Sequence, residues 1–337
     1  MNVLARAKCL DQRMLLLCLL TALVAVSVVS LLVGAGSVSP LQALAMLLGG
    51  EDSEAHFVVW ELRAPRTLIG IVVGMALGVS GALLQAVARN PLAEPGLLGV
   101  SAGAAFAVAL ALVLGASAAS LRISVAQVGA LAGCLCVLGV ARWRGVGNDP
   151  IRLVLAGAAF SALLGALTSL MLLFDQRSAD EVRFWVIGSL AGRRLDDLWA
   201  VLPSMALCTL LIALIARPLS ALALGERMAS GLGHHPQLIR ALVVLCVALL
   251  VGAATAIAGP IIFVGLVVPF IARAFAGPDI RRTLWFCLPI GPLIILAADI
   301  ISRVVVAPSE LPLGVLTALC GAPVLIAAVR ARRLPML

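Results

Sequence analysis

The residues that could bind a metal are few and scattered. The chain has eight cysteines, and the closest two, Cys134 and Cys136, lie two positions apart, so they face different sides of a helix. The three histidines, His56, His234 and His235, do not combine with cysteines or acids at a spacing typical of zinc. The sequence therefore predicts no metal site, and the cysteines are interpreted as small apolar packing residues.

The sequence also lacks the phosphate-binding motif of P-loop ATPases. A phosphate-binding GxxxxGK[ST] loop needs a lysine after its glycines. The chain has one lysine, Lys8, and no such glycines precede it. The chain is therefore not expected to bind ATP through a P-loop.

Two other function classes would need ionisable groups inside apolar segments. An intramembrane enzyme needs paired catalytic groups, and an ion-driven transporter needs acids in the middle of its spans. The polar residues found there are Gln85, Gln127 and Asp299, and Asp299 lies at the end of its run. Neither class is favoured.

The composition places the chain in a membrane. Of its 337 residues, 63% are hydrophobic and 12% are charged, whereas soluble domains carry about 25% charged residues. Runs of about 20 apolar residues each span the bilayer core of roughly 30 Å, and helices satisfy their own backbone groups there. The sequence predicts an all-α polytopic membrane protein. Its first run is too long for a signal peptide and is interpreted as a retained span.

Ten transmembrane helices are predicted in a single domain, residues 1–337. The predicted spans are Met14–Gly34, Pro65–Ala88, Gly96–Gly115, Ile123–Val140, Leu153–Phe174, Leu198–Ala216, Ile239–Ala258, Ile261–Phe275, Leu284–Ser302 and Pro312–Val329. With the N-terminus inside, the inner segments hold 16 of the 24 lysines and arginines. This bias predicts that both termini lie in the cytoplasm.

Glycine, alanine and serine are frequent in the spans, as in GIVVGMALGVSGALL from Gly70. Small residues let helix backbones approach closely in lipid. The alternative is that some of these glycines let helices shift during transport.

The stretch ARNPLAEPGLLGVSAGA interrupts the apolar pattern after the second span. Asn90–Pro91 and Pro95–Gly96 are turn signals, and each proline disfavours a helix at the residue before it. The charge count places this turn on the cytoplasmic side, where a structural corner is expected rather than a cargo site.

The longest inner segment is residues 217–240, RPLSALALGERMASGLGHHPQLIR. Leu224, Met228 and Leu232 recur at i, i+4 and i+8, which predicts one apolar stripe on a short helix, with Gly231 or Gly233 at its end. Such a helix lies on the membrane or docks into a partner's groove. The segment has few basic residues and no aromatic anchor, which weakens the membrane interpretation.

Two outer features complete the pattern. Ser178 and Glu181 have the spacing of a capping box and predict a short surface helix over about residues 178–193. Asp299 and Arg303 are four residues apart, so they share a helix face and can form a structural ion pair.

Long motifs in the same order resemble permease subunits of the FecCD type, which serve ABC importers for ferric siderophores, haem and cobalamin. The motifs are RAPRTLIGIVVGMALGVSGALLQAVARNPLAEPGLLGVSAGAA, LGERMASGLG, GPIIFVGLVVPFIARAFAGPDIRR and AADIISRVVVAPSELPLGVLTALCGAPVLI. The resemblance covers nearly the whole chain. It departs at Phe270, where the family usually has histidine in VPHIAR.

The resemblance implies a type II importer permease fold in a bacterial inner membrane. It also implies a second permease subunit, identical or paralogous, two ATPase subunits and an extracytoplasmic binding protein. ATP and Mg²⁺ belong to the ATPases, and this chain itself would be neither an enzyme nor the holder of a cofactor. The missing P-loop agrees with this division of labour.

The resemblance further implies three sets of site residues. The ATPase-coupling residues are Leu224, Gly225, Glu226, Ala229, Leu232 and Gly233. The residues that would receive the binding protein are Arg63, Arg66 and Arg303. The translocation path would be lined by Gly157, Ala158, Ser161, Gly165 and Ser169 of the fifth span, a small and weakly polar wall that suits a bulky cargo.

The cargo implied is a ferric siderophore, because VRFWVIGSLAGR, GAATAIAGPIIFVGLVVP and GAPVLIAAVRARR resemble siderophore members more than haem or cobalamin members. Cobalamin and haem stay open as alternatives. The iron is expected to keep its chelator's ligands, because the chain offers none of its own.

Overall fold

A computed structural model describes residues 12–116, 119–142, 150–173, 185–223, 225–277 and 279–330. Every regular element in these ranges is helical. In chain order the helices are α1 (Gln12–Leu32), α2 (Pro40–Leu47), α3 (Ala64–Ala88), α4 (Val100–Val113), α5 (Ala119–Arg142), α6 (Pro150–Leu172), α7 (Leu195–Ala223), α8 (Glu226–Gly231), α9 (Pro236–Ala258), α10 (Val264–Ala276), α11 (Ile280–Val304) and α12 (Leu313–Arg330).

Each of the ten predicted spans corresponds to one of these helices, which confirms the all-α membrane fold. Seven helical stretches are long and apolar enough to cross a bilayer, and α4, α10 and the described part of α12 are shorter. The third span was predicted from Gly96, but the chain forms a 3₁₀ turn over Pro95–Leu98 and α4 begins only at Val100. Gly99 stands between them at φ 75°, which an α-helix does not allow.

The chain before α3 contains structure that the sequence did not reveal. The second span was predicted to begin at Pro65, but helix runs without a break from Ser53 to Ala88. Its first part is a short turn, Ser53–His56, followed by a π-helix, Phe57–Arg63. Pro65 lies in the first turn of the α-helical part, a position at which proline is tolerated, so it does not stop the helix.

Two other predicted boundaries were wrong or lie outside the described residues. The inner segment 217–240 is not one loop, because α7 continues through Pro218 to Ala223 and α9 begins at Pro236. Membrane helices tolerate such a proline where neighbouring groups satisfy the freed carbonyl. Of the surface helix predicted over 178–193, the structure describes residues 185–193, in which Trp185 and Val186 are helical.

Glycines bring α3 against α10 and α11, which confirms the close-packing interpretation. A Cβ atom built on Gly74 would lie 2.6 Å from the Cα of Pro292, and one on Gly81 would lie 2.9 Å from the Cα of Gly265. Helices α3 and α9 are the most buried, whereas α1, α6 and α7 leave most of their length exposed. The end of the bundle where α3 begins is named the Arg66 end, and the other is named the Arg89 end.

Candidate functional site

The short helix α8 lies at the Arg89 end, between α7 and α9. Met228 and Leu232 are 56% and 63% exposed, whereas Ala229 is fully buried. The helix therefore packs through Ala229 and leaves an apolar face to the outside, as the sequence predicted. The third member of the predicted stripe, Leu224, lies outside the described residues.

Backbone and charge contacts fix the position of α8. Gly225 precedes the helix at φ 135° and Gly233 follows it at φ 79°, and both values favour glycine. The carboxylate of Glu226 forms an ion pair with Arg240 of α9. Thus, among the predicted coupling residues, Glu226 and the glycines hold the segment in place, while Leu232 is available for contact.

The turn between α3 and α4 lies beside this segment. Arg89 ends α3 in the left-handed region, at φ 48°, and its Nη2 donates to the carbonyl of Leu222 in α7 at 2.7 Å. The Asn90 carboxamide oxygen accepts from the Leu92 amide at 2.9 Å, which closes the turn. The predicted structural corner is therefore bonded to the helix that leads into α8.

A buried cluster of charges lies at the Arg66 end. Asp299 of α11 is fully buried, accepts a hydrogen bond from Arg66 Nη2 at 2.7 Å and forms an ion pair with Arg303 Nη2 at 2.9 Å. Arg66 Nη1 also donates to Glu310, whose side chain is 29% exposed, at 2.9 Å. The Asp299–Arg303 pair was predicted from its spacing and is confirmed. The bonds from Arg66 join α3 to α11 and the segment after it.

The remaining bonds in this region cap helix α1. Arg303 Nη1 donates to the carbonyls of Ser30 and Val33 at 3.0 and 2.9 Å. Arg63 Nη1 donates to those of Leu31 and Leu32 at 3.0 and 2.8 Å. The last carbonyls of a helix have no partner within it, so guanidinium donors stabilise them.

These contacts change the interpretation of the predicted docking residues. Arg63, Arg66 and Arg303 are 4%, 8% and 2% exposed. Their side chains were expected to face a binding protein, but they point into the bundle because α1 carbonyls and Asp299 take up their donors. Of the four side chains that these ion pairs join, that of Glu310 is the most exposed.

Helix α6 carries the predicted path residues and faces outward over much of its length. Ala158, Gly165 and Ser169 are exposed and share one helix face, Ser161 is half-buried, and Gly157 is buried. The neighbouring side of α6 meets α4 and α5 at an apolar cavity of about 580 Å³, lined in part by Phe160. Among the described residues, those that line this cavity carry no charge that could hold an ionic ligand.

In the part of the chain that the structure describes, no three His, Cys, Asp or Glu residues come together as metal ligands would. Gln85 is fully buried, and its side-chain nitrogen lies 3.5 Å from the Leu266 carbonyl. Gln127 donates to Ser204 at 3.0 Å. The intramembrane polar residues thus make helix-to-helix contacts.

The sequence profile of the FecCD transport family matches residues 21–331. The chain belongs to the FecCD transport family. It is 42% identical over 313 residues to the ferric enterobactin transport system permease protein FepD of Escherichia coli, covering 93% of each chain. It is 40% identical over 275 residues to the vitamin B12 import system permease protein BtuC of Yersinia enterocolitica, covering 80% of each.

A solved structure of the same fold supports this membership. It is described as an inward-facing conformation of a metal-chelate type ABC transporter, and the two share 28% sequence identity with a TM-score of 0.81. The superposition covers 95% of this chain and 99% of that one. As a FecCD permease, the chain is a multi-pass membrane protein and a transport subunit of an ABC importer.

Sequence reasoning missed two contacts of this FecCD permease. It found the Asp299–Arg303 pair because four-residue spacing is a local signal, but nothing local connects Arg66 with Asp299, which are 233 residues apart. The bond between Arg89 and Leu222 spans 133 residues. The turn signals Asn90–Pro91 and Pro95–Gly96 predicted that α3 ends here, but they do not indicate which helix Arg89 contacts.

Proposed function

We propose that this chain is the membrane-spanning permease subunit of an ATP-driven importer that carries a ferric-siderophore complex into the bacterial cytoplasm. Two permease subunits, identical or paralogous, stand above two ATPase subunits, and an extracytoplasmic binding protein delivers the cargo. The 42% identity with FepD over 93% of the chain supports the siderophore. The 40% identity with BtuC supports cobalamin as the second candidate, and haem is a third.

The exposed apolar face of α8 is the observation that supports a contact with the ATPase. Met228 lies on α8 and Leu232 directly follows it, and the Glu226–Arg240 pair and the buried Ala229 hold this segment in place. A short helix with an apolar face fits a hydrophobic groove on a partner. In this proposal the Arg89 end faces the cytoplasm, as the 16-to-8 distribution of basic residues favours, and the ATPase binds ATP and Mg²⁺ there.

The test of this contact is co-purification. We expect the double variant Met228→Glu/Leu232→Glu to lose the P-loop ATPase encoded beside this chain, because two carboxylates would have to be buried in an apolar groove. Leu48→Glu is the matched control, since Leu48 is 80% exposed just after α2. The measurement is the ATPase-to-permease ratio after affinity purification. An unchanged ratio in the double variant would exclude α8 as the contact.

The exposed side of α6 is proposed to face the second permease subunit. In the single chain, Leu155, Leu163 and Leu170 are 63%, 55% and 52% exposed, beside the small residues Ala158 and Gly165. Cargo would pass along these small residues between the two subunits. The apolar wall would make few bonds with a chelated iron complex, which favours release, and alternating access would open it to each side in turn.

The Arg66 end is proposed to receive the binding protein. Charge complementarity mainly favours encounter and register, and the buried Arg63 and Arg303 would support this surface by fixing α1. We expect Arg63→Glu/Arg303→Glu to abolish uptake and to lower the thermal midpoint, because the α1 carbonyls lose their donors. Binding-protein affinity and thermal denaturation are both measured. Lost affinity at an unchanged midpoint would instead make these arginines direct contacts, and unchanged affinity in the folded variant would remove them from docking.

A further inference from the structure

The turn between α3 and α4 folds back into the bundle. Pro95 packs against Gly265 near the start of α10, where a Cβ atom built on Gly265 would lie 3.0 Å from the proline Cδ. Gly265 in turn lies against Gly81 of α3. Gly81 is seven residues before Ala88, so the turn reaches about 10 Å inward from the end of α3 at 1.5 Å per residue.

One side of this turn is bonded to α7. The guanidinium of Arg89 donates to the Leu222 carbonyl at 2.7 Å, and Leu222 is 1% exposed. Leu222 belongs to the last turn of α7, whose carbonyls have no partner within the helix. Since α8 begins at Glu226, only a few residues separate this bond from the exposed face of α8.

The other side of the turn lies against the start of α10. The Glu94 carboxylate interacts with the backbone of Phe263, and its Oε2 atom is buried with no hydrogen-bond partner among the described residues. Gln85, in the last turn of α3, points its side-chain nitrogen at the Leu266 carbonyl. The turn therefore contacts α7 through Arg89 and α10 through Glu94 and Pro95.

The start of α10 is a strained break in the bundle. Helix α9 ends at Ala258, and α10 begins at Val264 after an irregular segment. Phe263 has φ 68°, a value that is an outlier for a bulky side chain. Such strain persists only where the surroundings enforce it, and it is common in regions that switch conformation. A small displacement of the turn would therefore act on a segment that can change its conformation.

We infer that Arg89 is a positioning residue that transmits movement of the α7–α8 junction, through the α3–α4 turn, to the start of α10. The inference rests on the proposed function, because it takes α8 as the ATPase contact. When α8 moves, the Leu222 carbonyl moves with it and pulls Arg89. Because Pro91 and the Asn90–Leu92 bond stiffen the turn, Glu94 and Pro95 shift α10. Without the Arg89 bond, ATP hydrolysis continues while cargo movement falls.

The variant that tests this is Arg89→Asn in the complete complex, reconstituted in liposomes with its binding protein and cargo. Asparagine tolerates the left-handed backbone, but its side chain is too short to reach Leu222. We expect the number of cargo molecules imported per ATP to fall about tenfold, as for the loss of one charged hydrogen bond, with ATPase binding unchanged. Arg89→Lys, which keeps a charged donor, should restore most of the ratio.

Two comparisons complete the test. Arg281→Asn changes an exposed arginine at the same end of the bundle and should leave the ratio unchanged. Glu94→Ala removes the carboxylate that lies between the turn and the backbone of Phe263, so it should also uncouple. Combining it with Arg89→Asn should add little, because both variants interrupt the same path. If Arg89→Asn does not fold, Glu94→Ala tests the same inference by itself.

The inference is overturned if Arg89→Asn and Glu94→Ala import cargo at the unmodified ratio. It is equally overturned if hydrolysis and import fall in the same proportion, because that result indicates assembly rather than transmission. Failure of the proposed function is distinguishable, since the unmodified chain would then bind no ATPase or import no cargo.

Discussion

Replacing Asp299 by asparagine is expected to lower the free energy of unfolding by about 3–5 kcal/mol, which is the cost of leaving buried charges without their partner. Asp299 is fully buried, accepts hydrogen bonds from Arg66 and forms an ion pair with Arg303. Arg303 is 2% exposed, so water cannot replace the lost carboxylate. Arg66 retains Glu310, and the larger part of the penalty therefore falls on Arg303.

Thermal denaturation in detergent measures this effect. Cys208, Cys246 and Cys287 are fully buried, so a thiol-reactive dye gains reactive cysteines as the bundle opens. Asp279→Asn is the control. Asp279 caps the start of the same helix and its side chain is 41% exposed. Asparagine caps a helix about as well as aspartate does. An Asp299→Asn midpoint as high as the control's would show that this cluster contributes little.

A variant of Arg303 separates its ion pair with Asp299 from its hydrogen bonds to α1. Arg303→Gln alone loses one ion pair and the α1 contacts. If Asp299 and Arg303 act on each other, the double variant should be less destabilised than the sum of the two single variants, with an interaction energy of about 0.5–3 kcal/mol. Strict additivity would mean that Arg303 acts only as the cap of α1.

Replacing Gly81 by alanine is expected to produce the second large effect. The added methyl would overlap the Gly265 carbonyl oxygen and lie 2.6 Å from the carbonyl carbon. Both groups are backbone, so neither can rotate away and α3 and α10 must separate. Overpacking usually costs 1–3 kcal/mol, and occasionally more, so a rigid contact should lie at about the upper end of that range.

Gly139→Ala is the matched control for this prediction. Gly139 lies within α5, and no atom lies within 4 Å of a Cβ built there. Alanine is a better helix former by about 1 kcal/mol, so this variant should be neutral or slightly more stable. The thiol-reactivity assay compares the two. If both variants melt like the unmodified chain, α3 and α10 do not need the close approach at Gly81.

The separation of α3 from α10 should also affect transport. Gly265 contacts both Gly81 and Pro95, so a methyl group at Gly81 would disturb the contact between the α3–α4 turn and the start of α10. Complex that survives purification is therefore expected to hydrolyse ATP with reduced uptake. Gly81→Ala would then produce the same phenotype as Arg89→Asn, although Gly81 lies within α3 and not on the turn.

The positions of the site residues show where sequence reasoning stops. Met228 and Leu232 were predicted to lie on one apolar stripe, because four-residue spacing is a local property of a helix. The structure adds that both side chains are exposed. The burial of Arg63 was not predicted, because its acceptors are carbonyls of α1, more than 30 residues away. A charged residue near a span end has the same local pattern whether it faces solvent or caps another helix.

The sequence by itself determined the ten spans, the all-α membrane class, the α3–α4 turn, the apolar stripe of α8 and the family. These properties depend on apolar run length, helical spacing, proline and glycine signals and motif order, all of which are read along the chain. Only the tertiary structure decided that Arg66 and Arg303 share Asp299, that Arg89 bonds to α7 and that the turn reaches α10. Those contacts join residues up to 233 positions apart, and their formation depends on how the helices pack, because a buried charge must find whichever partner the packing brings to it.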